Sequence, residues 1–311
     1  MLRFLTVLRV PAMWAAMLTR VSSKLVRVRN ALLLRRGTPK DFDWTPDTVP
    51  ASFKVERRAA PPAIGHALNQ CGIHGIEDDW LRALAIVKML LRNAQDRGPI
   101  QADLETTFSE IGAGRGYCAD YVRVYIAAAV GANLFCRQWA FSFDGFGGHG
   151  HTVVEVYDRD RERWRFLDVY NNVYAVRSRD EIALSVGELR ALLASDSEAI
   201  EFRKAAEGRL GMPEVHKLRD YYRRGAGEWY LWFGNDVISR DRAVFARILK
   251  RISGRLSHRL GGGLGNLPAL VAVADPANDA DIVRMEALCR NVWLISVAAI
   301  VGAAMVVISW K

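Results

Sequence analysis

The sequence predicts an α+β fold with a helical C-terminal extension and a C-terminal transmembrane helix. Three observations carry that expectation. A glycine-rich turn opens a helix at Cys118, short apolar segments with turn signals follow between Asn133 and Asn171, and Val292–Trp310 runs for 19 residues without a charge. The expected division is a basic amphipathic arm at 1–45, a core at 46–185 with a helix packed on an antiparallel sheet, a helical basic extension at 186–265, a linker at 266–290 and a membrane span at 291–311.

The elements follow in order. Residues 1–36 alternate apolar and basic positions at helical spacing, which suits a solvated basic helix or one lying on an anionic membrane. Residues 37–65 are rich in Pro, Thr and Asp and read as an extended linker. Asp78 to Gly98 reads as a helix, with Asp78 or Asp79 as its cap, Gly98 as its stop, and Leu81, Leu84, Ile86, Val87 and Leu90 among its apolar positions. A second helix follows Gly112, Gly114 and Gly116 and ends where Gly131 supplies a left-handed cap. Asn133–Phe143 reads as a strand. His151–Asp158 and Trp164–Asn171 read as a hairpin around the charged turn Arg159–Glu162. Beyond residue 180 the pattern turns helical, with Asp180 or Ser185 as an opening residue and an amphipathic, Arg-rich helix at 239–260.

Charge limits the function classes. Residues 1–40 hold nine basic residues and no acid, so the rest of the chain balances at 34 basic and 34 acidic residues. The excess sits in one arm, which argues against a nucleic-acid-binding body. The uncharged run spans roughly 28 Å at helical rise, close to a bilayer's hydrocarbon core. Trp293 and Trp310 stand at its ends, and Arg284 and Arg290 precede it. By the positive-inside rule the body of the protein then faces the cytoplasm. The Arg-rich start also fits an organelle transit peptide. The four cysteines, Cys71, Cys118, Cys136 and Cys289, match no zinc spacing and suit free thiols in a reducing compartment.

The chemistry centres on Cys118. A helix N-terminus offers unpaired N–H groups and about half a positive charge. Both favour a thiolate and an oxyanion. On a strand, His151, Val153 and Glu155 share one face, with Thr152, Val154 and Val156 on the other. With Arg159–Asp160 as the turn, or a four-residue loop centred there, His151 pairs with Asp168. With the turn shifted by one residue, to Asp160–Arg161, Val153 pairs with Asp168, which becomes a diagonal neighbour of His151 on the same face. Any even loop therefore yields a His–Asp couple. Nucleophile, base and orienting acid are the parts of a cysteine triad.

Three blocks in this order resemble the transglutaminase-like superfamily, whose core is papain-like. They are Gly116–Tyr121, with Asp120 two residues after the cysteine; His151–Tyr157, with Glu155 four after the histidine; and Trp164–Val169, with Trp164 four before the aspartate. Val169 stands where the family often has proline. The resemblance covers about residues 78–175. It implies a papain-like, transglutaminase-like catalytic core in which Cys118, His151 and Asp168 are catalytic and Gly116, Tyr117, Asp120, His149, Glu155 and Trp164 support the site or its substrate. It further implies a protein, peptide or amide-containing substrate, thioester chemistry ending in hydrolysis or acyl transfer, and no cofactor. The residue completing the oxyanion hole is not identified by it; Gln101 and Trp80 are candidates. Three other readings compete: a metal pair at His149 and His151, for which His66, His74, His216 and His258 offer no third ligand by spacing; a catalytically idle, membrane-tethered interaction module of the same fold; and a nucleic-acid binder using the basic arm.

Overall fold

A computed structural model describes residues 24–94, 98–100, 102–178, 180–195, 197–208, 211–212, 214–242 and 267–309. Residues 1–23 of the basic arm, most of the amphipathic stretch at 239–260, the glycines that follow it and Gln101 lie outside the described residues.

The fold is α+β, built on a mixed six-stranded sheet. In chain order its strands are β1 (Leu34–Arg36), β2 (Cys136–Ser142), β3 (Gly150–Asp158) and β4 (Arg163–Leu167), then β7 (Trp229–Trp232) and β8 (Leu270–Ala272). Their spatial order is β1-β8-β7-β2-β3-β4, while β5 (Val173–Arg177) and β6 (Ile200–Lys204) form a separate antiparallel pair. Pairing is antiparallel except between β1 and β8, so the expectation of a purely antiparallel sheet is corrected at that edge. The helices are α1 (residues 24–33), α2 (Pro62–Gln70), α3 (Asp79–Leu91), α4 (Leu104–Gly112), α5 (Cys118–Gly131), α6 (Val186–Ser195), α7 (Val215–Arg224), α8 (Val237–Asp241) and α9 (Asp279–Ser309).

Side-chain alternation along β3 divides the core into two layers. Val154 and Val156 join Cys136, Leu167 and the buried faces of α2–α5 on one side. Val153 and Tyr157 join Trp139, Phe141, Trp164, Phe166, Trp229 and Leu231 on the other, an aromatic layer covered by α6, α7 and residues 42–55. Helix α5 is almost wholly buried because its small residues, Ala127 to Ala129, let neighbours approach closely. The left-handed position expected at Gly131 falls at Asn133 (φ 57°), and Gly131 itself is helical, tight against Ala60 and Leu68 of α2. Helix α3 starts as expected, with the Asp78 carboxylate accepting the Leu81 N–H at 2.8 Å. It ends at Leu91 rather than near Gly98, and Leu81 faces solvent.

The expected division of the chain is corrected at three places. Residues 37–65 are not an extended linker: two 3-10 turns, Pro39–Asp41 and Pro46–Thr48, carry Trp44 and Phe53 into the aromatic layer. The stretch 186–265 contributes β6 and β7 to the sheets as well as helices. The stretch 266–290 is not a linker either, since it holds β8 and the first turns of α9. Ile282 and Met285 of α9 are buried against Ala31, Ala140, Phe146 and Tyr230. Further along, α9 leaves the body, with Trp293, Leu294 and Ile295 about two-thirds exposed. Asp279–Ala303 is long and apolar enough to cross a membrane, by length and composition.

A buried ion pair ties the aromatic layer to the sheet. Glu155 Oε2 accepts from Arg137 Nε at 2.7 Å and from Trp139 Nε1 at 2.5 Å, while Oε1 accepts the Val186 N–H at 2.5 Å, which caps the start of α6. The Arg137 guanidinium stacks 4.0 Å over Trp164 and donates to the Phe42 carbonyl at 2.8 Å. Removing one member strands the other charge out of water, which costs about 3–5 kcal/mol. Glu155→Ala is expected to lower urea stability by about that much, and Glu155→Gln by less. Equal stability of Glu155→Ala and wild type would contradict this account.

Candidate active site

The hairpin register decides the site's geometry. Along β3 and β4, Glu155 pairs with Phe166, Val156 with Arg165 and Asp158 with Arg163 around the four-residue turn 159–162. Extending that register places Val153 across from Asp168, the shifted-turn alternative, and keeps Asp168 and His151 on one face as parity requires. The regular ladder stops at Leu167. Asp168 then bridges Val173 at the start of β5, and Asn171 and Asn172 turn the chain between them.

The structure brings His151 and Asp168 into contact, with Nε2 2.6 Å from Oδ2. Asp168 is fully buried, and its carboxylate has further partners. Asn171 donates its backbone N–H to Oδ1 at 2.9 Å and its side-chain amide to Oδ2 at 2.7 Å. The Tyr222 hydroxyl, 54 residues along the chain on α7, donates to the same Oδ2. Burial pushes the Asp168 pKa up, but His151, Asn171 and Tyr222 together hold it below the usual carboxylate value. Burial works against a charged His151 ring. The Asp168 carboxylate and Cys118 outweigh it and raise the imidazole to about 10.

Cys118 is the first residue of α5 and is half-buried. It lies close enough to His151 to help raise the pKa of the ring. With Nε2 committed to Asp168, Nδ1 is the ring nitrogen left for the thiol. The turn before Cys118 depends on Gly116, whose φ of 117° would strain any other residue. Asp120 clamps it from below: its buried Oδ2 accepts the N–H groups of Tyr117 at 3.0 Å and Ile100 at 3.1 Å. That capping leaves the N–H groups of Cys118 and Ala119 without acceptors inside the helix. Tyr117 is exposed beside them.

The other supporting candidates lie apart from the thiol. Glu155 and Trp164 belong to the buried ion-pair cluster, with Trp164 Nε1 donating to the Trp44 carbonyl at 2.7 Å. Trp80 packs under Arg165, 4.0 Å from its guanidinium, and edge-on to Tyr174. His149 is exposed, its ring 6.2 Å from Phe143. The glycines beside it do not hold open a path for substrate, because a Cβ on Gly148 would lie 2.4 Å from Val26 of α1. Among the described residues no group of three or more His, Cys, Asp or Glu side chains gathers as a metal site. Cys136 is sealed in the core, where burial raises its thiol to about 12.

Sequence reasoning missed an aromatic cage around His151. Phe141 (5.7 Å between centroids), Tyr170 (6.2 Å), Tyr221 (5.6 Å) and Tyr222 (6.4 Å) surround the ring. Asn171 was legible in principle, since Asx residues after a strand-end Asp favour such turns. The tyrosines reach the site only through long-range packing of α7. A cleft of about 450 Å³ lined by Ile100, Thr106, Glu110 and Arg115, and another of about 200 Å³ beside Cys71 and Phe108, are not lined by Cys118, His151 or Asp168. Compared with known proteins, the chain matches no family model, no curated protein and no solved structure.

A raised imidazole has a signed consequence. Its stabilising effect is complete below the unfolded value of about 6.5, declines as pH rises, and is lost above about 10. The lowered Asp168 acts in the opposite sense, contributing above about 3.9 and losing its effect as pH falls through its folded value. Ring-nitrogen NMR should find His151 protonated at pH 8, and Asp168→Asn should bring its midpoint down. A neutral His151 ring at pH 8 in wild type would contradict the assignment.

Proposed function

We propose that this protein is a thiol-dependent acyl-transfer enzyme, an amide or peptide hydrolase or a transglutaminase-like acyltransferase, with a Cys118–His151–Asp168 triad on a papain-like core. One observation carries the reading: a cysteine at the first residue of a helix lies near a buried histidine whose Nε2 is held by a fully buried carboxylate. A structural histidine needs no thiol at its free nitrogen, and a structural cysteine gains nothing from a helix terminus.

In this mechanism the proton already resides on His151, and Cys118 Sγ, as the thiolate, attacks an acyl carbon. His151 then passes the proton to the departing amine. Asp168 fixes the ring's orientation and stabilises the imidazolium, and Asn171 and Tyr222 hold Asp168 so that it cannot turn away. Water or an amine resolves the thioester, giving hydrolysis or transfer. The substrate class is a protein, peptide or other amide.

Membrane attachment is part of the same proposal. Helix α9 leaves the body with its apolar side chains uncovered, and Ser296 returns its hydroxyl to the Val292 carbonyl at 2.8 Å, satisfying it within the helix as a span requires. Arg284 and Arg290, which precede the apolar run, support a body on the cytoplasmic side.

Selective alkylation tests the chemistry. Iodoacetamide at pH 7 should label Cys118 in preference to the exposed Cys71, with selectivity lost in His151→Ala, and activity-based profiling should recover an acyl adduct absent from Cys118→Ala. Labelling of Cys118 no faster than Cys71 would favour an idle module of the same fold. Attachment is tested separately. Full-length protein should resist carbonate extraction from membranes, and a chain lacking residues 291–311 should appear in the soluble fraction. Extraction of the full-length chain by carbonate would remove the span from the account.

A further inference from the structure

Helix α7 sets two consecutive tyrosines against the site, and they do different things. Tyr222 donates its hydroxyl to Asp168. Tyr221 has its hydroxyl uncommitted: it makes no hydrogen bond among the described residues. Its ring is nevertheless firmly placed, T-shaped to His151 at 5.6 Å, to Phe141 at 5.6 Å and to Phe143 at 5.4 Å. The side chain is only partly buried, so the hydroxyl is not sealed in the core. Burial first, and then the Cys118 and Asp168 charges, raise its pKa, which keeps the phenol an O–H donor in neutral and alkaline solution.

Acyl transfer at a thiol needs donors for the oxygen that becomes negative. The helix-terminal N–H groups of Cys118 and Ala119 supply one direction. A second must come from another element. Trp80 is packed under Arg165, and the nearby Arg224 guanidinium lies 4.7 Å over the Phe143 ring. We propose that the Tyr221 hydroxyl is the second oxyanion donor, a catalytic residue contributed by α7 from outside the stretch that carries the triad. This rests on the acyl-transfer reading of Cys118. As Sγ forms the S–C bond, the carbonyl π pair moves to oxygen, and that oxygen accepts the Tyr221 O–H hydrogen bond without taking its proton. Collapse restores the C=O bond and expels the leaving group with its bonding pair.

Two probes of Cys118 separate this role from packing. Iodoacetamide alkylates by displacement at a saturated carbon and forms no oxyanion, whereas p-nitrophenyl acetate acylates through one and releases p-nitrophenolate. In the full-length protein, Tyr221→Phe should leave the alkylation rate within about twofold of wild type and slow acylation by about 100-fold or more, the loss typical of one oxyanion donor. Acylation as fast as wild type would overturn the proposal. An equal fall in both rates would also overturn it, since Tyr221 would then act only by positioning His151. If wild-type Cys118 is alkylated selectively but Tyr221→Phe acylates normally, only this inference fails. If wild-type Cys118 reacts with neither probe faster than Cys71, the acyl-transfer reading fails with it.

Discussion

Asp168 sits at the end of β4 with no solvent exposure, and an ionised carboxylate there is tolerable only if fixed donors replace its lost water. Those donors come from three directions: His151 on β3, Asn171 in the turn that follows, and Tyr222 on α7. Each is therefore held where Asp168 needs it. The turn at 169–172 must fold back, α7 must dock over the aromatic layer, and the β3–β4 register cannot slip by one residue without moving the carboxylate to the other face. Loss of any donor leaves a buried acceptor short of partners, so the network is satisfied as a whole or fails as a whole. The orientation of His151, and so the freedom of Nδ1 to meet Cys118, is a by-product of that demand.

A second buried charge repeats the logic four residues along the same face. Glu155 gathers Arg137, Trp139 and the first N–H of α6, and Arg137 in turn holds the Phe42 carbonyl. Between the two charged positions lies Val153, packed in the aromatic layer. One face of β3 thus carries two polar anchors separated by an apolar contact, and each anchor recruits elements distant in sequence. The opposite face carries Val154 and Val156, which pack with α5, between the buried Thr152 and Asp158. Cys118, the first residue of that helix, lies near His151, the second residue of β3.

This division explains what the sequence made legible. Signals that are local survive translation into structure. Asp78 caps α3, Ser185 and Glu188 exchange hydrogen bonds at the start of α6, and the even-length turn puts His151 and Asp168 on one face. Gly116 and Asp120 likewise shape the turn before Cys118 through contacts within a few residues of it. Signals that depend on tertiary partners do not survive. β7 and β8 are runs of four and three residues with no readable period, and only their neighbours make them strands. Pro and Thr around Trp44 suggest an open linker, yet Trp44 and Phe53 are drawn into the aromatic layer by Trp164 of β4 and by Phe135 and Phe233, which flank β2 and β7. Tyr221 and Tyr222 resemble any pair on an amphipathic helix until α7 is docked.

The same long-range packing joins the proposed site to the apolar helix. The loop before β3 is braced on α1, where Asn30 donates to the Phe146 carbonyl at 2.9 Å and Gly148 leaves room for Val26. It is braced again on α9, since Phe146 packs with Ile282 and Met285, and Gly145 lies close against Asp281. β8 enters the sheet just before α9 begins and leaves only residues 273–278 between them. A flexible linker here would let the body tumble freely against α9. Instead, the root of α9 is part of the hydrophobic core, and the loop leading to His151 rests on that root. If α9 enters a bilayer, the proposed cysteine–histidine pair is then carried at a fixed height above it, so the proposed site and the proposed span share one rigid element.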